Sequence, residues 1–353
     1  MNRQVMVSVD QLSRPQPGGI ASYVHGLLRG LADVGLDDYT VVGSRRALAT
    51  VPTWPSASTP VPDRLVPLVW RSVPAGVTHG TAVVHATSMA GPFDGAAELQ
   101  TVALHDLLWR DEPTATTARG ARFHENRLQY LIARDDIRLL PSSPLLAPRL
   151  IALGVDPARI FPIRLGVDDG GVTPASSTEV RAFLLSAGVR GPFTLHAGTR
   201  EPRKNVERLV KAHAAARAVA PELGPLVFVG PAGWGTADTG DATVLGMVSR
   251  ELLLGLYREA SLVAYVPRAE GFGLPPVEAL RAGTRVVASV NCPSVAENAE
   301  VTLVGPLDVD AIAEGLVTAS TQSTSADAQA RRRDSVADLT WRQCALDHLA
   351  AWS

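Results

Sequence analysis

Two acids eight positions apart, Glu270 and Glu278, bracket the run Glu270-Gly-Phe-Gly-Leu-Pro-Pro-Val-Glu278. Between them Gly271, Phe272, Gly273 and Leu274 lie where an apolar strand, Ser261–Val266, hands over to a helix read from Pro276 to Ala282 and stopped by Gly283. Unpaired N–H groups at such a handover, together with the helix dipole, favour an anion. Glycine at 271 and 273 lets backbone approach a phosphate closely. Glu278 falls in the first turns of the helix and can accept hydrogen bonds from hydroxyls. A second cluster, Thr199-Arg-Glu-Pro-Arg-Lys-Asn205, follows the strand end Thr194–Gly198 and enters a helix with apolar spacing at Val206, Leu209 and Val210. Arg203 and Lys204 at that entrance oppose the helix dipole, and a diphosphate would give them a partner. Lys204 and Lys211 are the only lysines of the chain, so an ammonium at 204 points to a need for a compact charge. Lys211 reads as a solvated position. Together these residues suit a phosphorylated, polyhydroxylated ligand.

The elements that position them alternate along the chain. Strand-like runs fall at Val5–Val9, Thr40–Val42, Ala82–His85, Thr101–Leu104, Leu195–Ala197, Leu226–Val229, Leu262–Val266 and Arg285–Ala288, with helical patterns between. This implies parallel sheets covered by helices. Residues 50–77, rich in Pro, Ser and Thr, read as an irregular loop, and Asp168-Asp-Gly-Gly171 as the domain junction. Ligands of such domains are expected at the carboxyl ends of the strands.

The two clusters, in this order, resemble the C-terminal half of retaining glycosyltransferases of family 4, which have the GT-B fold. Further resemblance lies in Gly18-Gly-Ile-Ala-Ser-Tyr23, in Val102-Ala-Leu-His-Asp-Leu107 with Pro113, in Ile160–Asp168 and in Leu339-Thr-Trp341. The Val102–Leu107 segment is similar to the subgroup that contains many O-antigen mannosyltransferases. The resemblance implies an α/β protein of two Rossmann-like domains whose parallel sheets face across a cleft. Residues 1–170 would form an acceptor-side domain, 171–335 a nucleotide-sugar domain, and 336–353 a terminal helix that could pack back on the first. It implies transfer of a hexose, with retention, from a nucleotide-diphosphate sugar to a glycan, lipid-linked or small-molecule acceptor. GDP-mannose is the favoured donor, with UDP- and dTDP-sugars open. A sugar-nucleotide epimerase of the same fold and a non-enzymatic nucleotide-sugar binder are the other readings.

By the same resemblance His105, Glu270, Lys204 and Arg203 act at the reacting centre. Gly18, Gly19, Thr199, Arg200, Met247, Val248, Gly271, Phe272, Gly273, Leu274 and Glu278 hold the donor. Glu270 would orient sugar hydroxyls and Glu278 the ribose, with the base against the backbone around Met247–Ser249. Family members often carry arginine where Thr199 stands, so Arg203 and Arg200 are expected to share the phosphate charge with Lys204. Asp106 could orient the His105 ring or cap a turn. His85 could be core or site, His196 reads as core, and Glu297 as structural. The arginines at 110, 119, 122, 127, 134 and 138 make either a solvated helix face or a patch for an anionic lipid-linked acceptor or membrane surface.

Composition narrows the classes. With 46% hydrophobic and 19% charged residues over 353 positions, the chain can bury the cores of two domains. A net charge of −2 gives no whole-chain attraction to nucleic acid. Cys292 and Cys344 are too few for a disulfide framework, which fits a reducing, cytoplasmic setting, with the inner face of a membrane as a further location. No signal peptide or membrane-spanning run is evident, no Asp-x-Asp metal motif is read beside a strand end where one would be expected, and no metal or other cofactor is expected beside the co-substrate.

Overall fold

The computed structural model describes residues 4–14, 18–58, 81–91, 97–167, 171–233 and 237–353. Two compact units result: Met1–Trp109 with Thr116–Gly166 and Leu339–Ser353, and Arg110–Ala115 with Val167–Asp338. Of the expected junction Asp168–Gly171, residues 168–170 lie outside the described residues, as do residues 59–77 of the expected loop.

The strands, in chain order, are β1 (Val5–Ser8), β2 (Tyr39–Gly43), β3 (Ser56–Ser58), β4 (Val83–Ala86), β5 (Leu99–Leu104), β6 (Ile137–Pro141), β7 (Thr194–Ala197), β8 (Leu226–Val229), β9 (Thr243–Gly246), β10 (Leu262–Tyr265), β11 (Val286–Ser289) and β12 (Val301–Val304). The described helices are α1 (Gly18–Asp33), α2 (Arg45–Leu48), α3 (Leu108–Asp111), α4 (Ala118–Ile132), α5 (Leu146–Ala152), α6 (Ser177–Ser186), α7 (Val206–Val219), α8 (Arg250–Glu259), α9 (Leu274–Ala282), α10 (Val309–Ser320), α11 (Ala326–Asp334) and α12 (Trp341–Ala351). Among the described residues each unit carries a six-stranded sheet, ordered β3-β2-β1-β4-β5-β6 in the first and β12-β11-β10-β7-β8-β9 in the second. Every strand pair is parallel. Strands β1, β4, β8 and β10 are buried along their whole length, which explains why they read as continuous apolar runs rather than alternating ones. One expectation is corrected: Ser56–Ser58 is not loop but the edge strand β3, paired to β2. Its short, polar Ser-Ala-Ser sequence carries no apolar signal, and an edge strand needs none.

In the second unit α7 and α10 cover one face, where Leu209, Phe228, Ala264, Val287 and Leu316 are wholly buried. In the first, α12 lies against α1 so tightly that a Cβ on Gly26 would stand 2.0 Å from the Trp341 ring. Strand order reverses between β1 and β4 in the first sheet and between β7 and β10 in the second. Such a reversal opens a crevice at the carboxyl ends of the two strands concerned.

Candidate active site

The second unit places its two sequence clusters at that reversal. One follows β7 and the other follows β10. After β7 the Gly198 amide donates to Val229 (2.8 Å) and the Arg200 amide to Pro231 (3.2 Å), so this stretch lies along the segment after β8. Pro202–Lys204 form a single 3-10 turn that ends at Asn205 in the left-handed region, at φ 62°. Asparagine tolerates that conformation better than most residues. Its side-chain amide donates to the carbonyls of Val266 (3.0 Å) and Pro306 (2.6 Å), which fastens the turn to the ends of β10 and β12. Lys204 is thereby turned inward, only 7% exposed.

Inside, Lys204 donates to both the Glu270 carboxylate and the Tyr265 hydroxyl. Tyr265 in turn donates to Glu270 Oε2 at 2.6 Å. Arg203 reaches the same oxygen at 3.1 Å and pairs with Glu201 at 2.6 Å. The turn's own Glu201 and the distant Glu270 thus already partner these cations, a correction to the expectation that a diphosphate would be their partner. Burial works against the charge on Glu270, but Lys204 and Arg203 outweigh it and hold the carboxyl down at about 2. Burial lowers the Lys204 pKa, while Glu270 pulls it upward and Arg203 adds to the lowering. The pair stays ionised because each charge answers the other.

Gly273 links Glu270 to α9. It lies at φ 95°, and a Cβ there would stand 2.2 Å from Cys292 Sγ, so only glycine fits. Ser294 braces this turn, its hydroxyl donating to the Gly273 carbonyl at 2.7 Å. The Gly271 amide donates to Glu270 Oε1 (3.2 Å) and is therefore engaged, against the expectation of a free donor. Among the described residues the amides of Phe272, Gly273 and Leu274 meet no acceptor. Pro275 and Pro276 have none to offer. The α9 entrance therefore presents a short set of unpaired donors at the positive end of its dipole.

Glu278, one turn along α9, accepts from Arg250 at 2.6 Å and from Tyr257 at 2.9 Å. Arg250 opens α8 just after Met247 and Val248; Met247 is 76% exposed and makes an open rim. Thr199 is half-buried. Arg200 donates to the Gly230 carbonyl at 3.1 Å, and that contact points it toward the end of β8.

In the first unit His105 follows β5 directly. Its Nε2 lies 2.8 Å from the Thr87 carbonyl, which can only accept, so Nε2 carries the proton and Nδ1 accepts from Ser142 at 3.3 Å. Burial lowers its pKa, so it is neutral near pH 7. Asp106 caps the turn instead of orienting this ring, accepting from the Leu108 amide at 3.0 Å. Gly18 and Gly19 are exposed and already belong to α1, not to a loop before it. His85 is wholly buried, as is His196 in β7. Glu297 is exposed. Of the arginines, 119 and 122 are exposed. Arg127 is buried over Phe123, Arg134 pairs with Asp136, and Arg138 donates to the Ala351 carbonyl at 2.7 Å. No helix of the described residues is long and apolar enough to cross a membrane, and among them no group of three or more His, Cys, Asp and Glu is placed to hold a metal ion.

Sequence reasoning missed Tyr265, Asn205, Tyr257 and Arg250. Tyr265 and Tyr257 read as core aromatics, and only a buried hydroxyl's need for a partner could have marked them. Arg250 carried a signal, being a cation at the first position of a helix.

Comparison with known proteins agrees with this geometry. Residues 191–322, which hold the Lys204 and Glu270 clusters, match the family model described as glycosyl transferases group 1. A D-inositol 3-phosphate glycosyltransferase of Mycobacterium sp. (strain JLS) is 31% identical over 233 residues, 61% of this chain and 49% of that protein. An O-antigen chain mannosyltransferase B of Escherichia coli is 33% identical over 174 residues, 45% of each chain. The chain spans about half the length of the curated relatives it matches, at 49% and 45%. Among solved structures, Anabaena Alr3699/HepE in complex with UDP-glucose has a TM-score of 0.74 at 20% identity, covering 98% of this chain and 99% of that one. WaaG, a glycosyltransferase involved in lipopolysaccharide biosynthesis, has a TM-score of 0.69 at 15% identity, covering 98% of each chain. The fold is α/β and of the GT-B glycosyltransferase type.

Proposed function

We propose that the protein is a hexosyltransferase that takes its sugar from a nucleoside-diphosphate sugar, with retention and without a metal. The observation that carries this reading is the buried Lys204–Glu270–Arg203 cluster beside the unpaired amides of Phe272, Gly273 and Leu274. Buried charges need a partner at every stage. Glu270 supplies it while the site is empty. The diphosphate takes over Lys204 and Arg203 when donor binds, and the lone pairs so freed on Glu270 accept from sugar hydroxyls. The two cations and the amides then meet the negative charge that grows on the leaving diphosphate, the electrostatic role of an oxyanion hole. Glu278, already set by Arg250 and Tyr257, takes the ribose hydroxyls, with the base against the Met247–Val248 rim. Thr199 and Arg200 complete the second unit's donor contacts in this reading, and Gly18, Gly19 and His105 are the first unit's candidate residues. The acceptor, a glycan, lipid-linked sugar or small molecule, belongs mainly to that first unit.

GDP-mannose is the first donor to try, supported by the similarity to the Escherichia coli mannosyltransferase. A UDP-hexose is the second, favoured by the complexes of the Anabaena protein with UDP and UDP-glucose. The test is release of nucleoside diphosphate from a panel of nucleotide sugars, assayed with excess EDTA and a panel of sugar and lipid-linked acceptors. Turnover of one donor that survives chelation is expected. Failure of every nucleotide sugar to bind or turn over would overturn the reading.

A further inference from the structure

Tyr265 is wholly buried, at 1% exposure, yet its hydroxyl finds no neutral partner. Both partners it does have, Lys204 and Glu270, are charged. A phenol has one proton to give and lone pairs to receive. Here the proton goes to Glu270 Oε2 and a lone pair takes the Lys204 ammonium. The ring is fixed as well. It stacks on His196 with centroids 5.6 Å apart and planes 20° from parallel. Lys204 Nζ lies 4.8 Å from the centroid of the Tyr265 ring. His196 cannot swing away, because its Nδ1 donates to the Ala264 carbonyl at 2.9 Å. Burial, set against that carbonyl and reinforced by Lys204 and Arg200, brings the His196 pKa down to about 4. The stack therefore adds no charge beneath the pair near pH 7.

We propose that Tyr265 is a positioning residue: seated on His196, it sets Glu270 and Lys204 in register for the sugar and the diphosphate of one donor. This rests on the hexosyltransferase reading. Its consequence differs for the two partners. Lys204 has the diphosphate as its counter-charge once donor binds. Glu270, having released both cations to the diphosphate, retains the phenol on Oε2 beside the Gly271 amide on Oε1, and the phenol is the side chain that keeps its orientation. Burial and the Glu270 charge push the phenol's own pKa well up, so it stays protonated and able to donate.

The variant is Tyr265→Phe, which keeps the ring and its stack. Turnover at saturating donor should fall by about 10–100-fold, the scale of a small misplacement at a reacting centre. Affinity for the bare nucleoside diphosphate, by calorimetry with GDP and UDP, should stay within about threefold, because the phosphate cations remain. A purely structural role would instead lower Tm and leave turnover at temperatures where the variant is folded. A second readout needs no activity. Glu270 in parent and variant is titrated by carbon-detected NMR, with Lys204, Arg203, Tyr265 and Cys292 as the facing groups. Losing a charged hydrogen bond should raise its proton affinity about tenfold or more. Unchanged turnover, or an unmoved Glu270 midpoint, would overturn the positioning role. The control is Lys204→Ala. If it abolishes nucleotide binding while Tyr265→Phe is silent, only this inference fails. If the parent binds no nucleotide, the hexosyltransferase reading fails and takes this inference with it.

Discussion

Each unit buries a tyrosine hydroxyl in a polar cluster, and the two clusters are built on opposite principles. In the first unit Tyr23 lies 2.7 Å from His85 Nε2 and 2.8 Å from His348 Nε2. The Cys344 carbonyl, 2.7 Å from His348 Nδ1, can only accept, so that nitrogen carries the proton and Nε2 receives from Tyr23. His85 Nε2 must then donate to Tyr23, and its Nδ1 receives from Thr101 at 2.8 Å, while Trp352 donates to Thr101 at 3.1 Å. The chain runs one way, uses neutral groups throughout and ties α12 to α1, β4 and β5. In the second unit Tyr265 sits among Lys204, Arg203 and Glu270, all ionised, beside three amides without acceptors among the described residues. A neutral network with its donors and acceptors matched holds a fold together. A charged one with unspent donors is arranged to exchange partners, as a ligand site must. The same phenol serves as a bolt in one place and, on the proposed reading, as a hinge-pin for a substrate site in the other.

The contrast breaks most sharply at Lys204. Lys204→Ala should cost ~10²–10³ in transfer rate and most of the nucleotide affinity, with the fold retained. Calorimetry with GDP and UDP checks it; unchanged affinity would remove Lys204 from the phosphate site. Next come the carboxylates. Glu270→Gln should cut turnover by roughly 10² through misplacement of the sugar, yet spare binding of the bare nucleotide. Glu278→Gln should weaken that bare nucleotide too. Parallel effects of the two variants would erase the sugar and ribose assignments. His105→Ala sharpens the picture from the first unit. It should lower kcat and kcat/KM together with little change in donor affinity, and a kcat within about twofold of the parent would make His105 a packing residue.

Tyr23→Phe is the counterpart in the neutral network. It should leave nucleotide affinity unchanged while costing about 1–3 kcal/mol of stability, because His348 Nε2 is left buried without a donor. Denaturant unfolding measures this, and a loss of nucleotide binding would contradict the division of labour. The histidines add a pH dependence. Burial lowers the folded pKa of His348 to about 4, against about 6.5 for the unfolded imidazole. Between those values the unfolded chain binds more protons, so stability is complete above pH ~6.5 and falls as pH drops toward 4. Glu270, held down at about 2, acts at lower pH, its contribution lost as pH falls below the ordinary carboxylate range toward 2. The smallest expected effect is none at all: excess EDTA should not change turnover, because fixed cations face the diphosphate.

Much of this was legible in the chain. Parallel strands buried on both faces announce themselves as apolar runs, and Leu226–Val229 stands where its sequence predicts. The stop of α9 follows from Gly283, whose backbone freedom is local, while its start at Leu274 lies two residues before the Pro276 read from the sequence. The edge strand β3 left no such mark, being polar and only three residues long. What the sequence could not show is who meets whom across the sheet. Glu270 lies far along the chain from Lys204, and nothing local to either predicts their pairing. Tyr265 looked like core because its ring is core, while the hydroxyl that matters depends on long-range partners. Asn205 looked like one more polar turn residue until its left-handed backbone and two carbonyl partners came into view.

The central claim is that the second unit's charged cluster is a nucleotide-sugar site. A thermal-shift panel of GDP-mannose, UDP-glucose and other nucleotide sugars, run on the parent and on Lys204→Ala side by side, tests it most directly. A donor at 100 times its Kd should stabilise the parent by about 2.7 kcal/mol, and the same donor should leave Lys204→Ala unmoved. No stabilisation by any nucleotide sugar, or equal stabilisation of both proteins, would contradict the account.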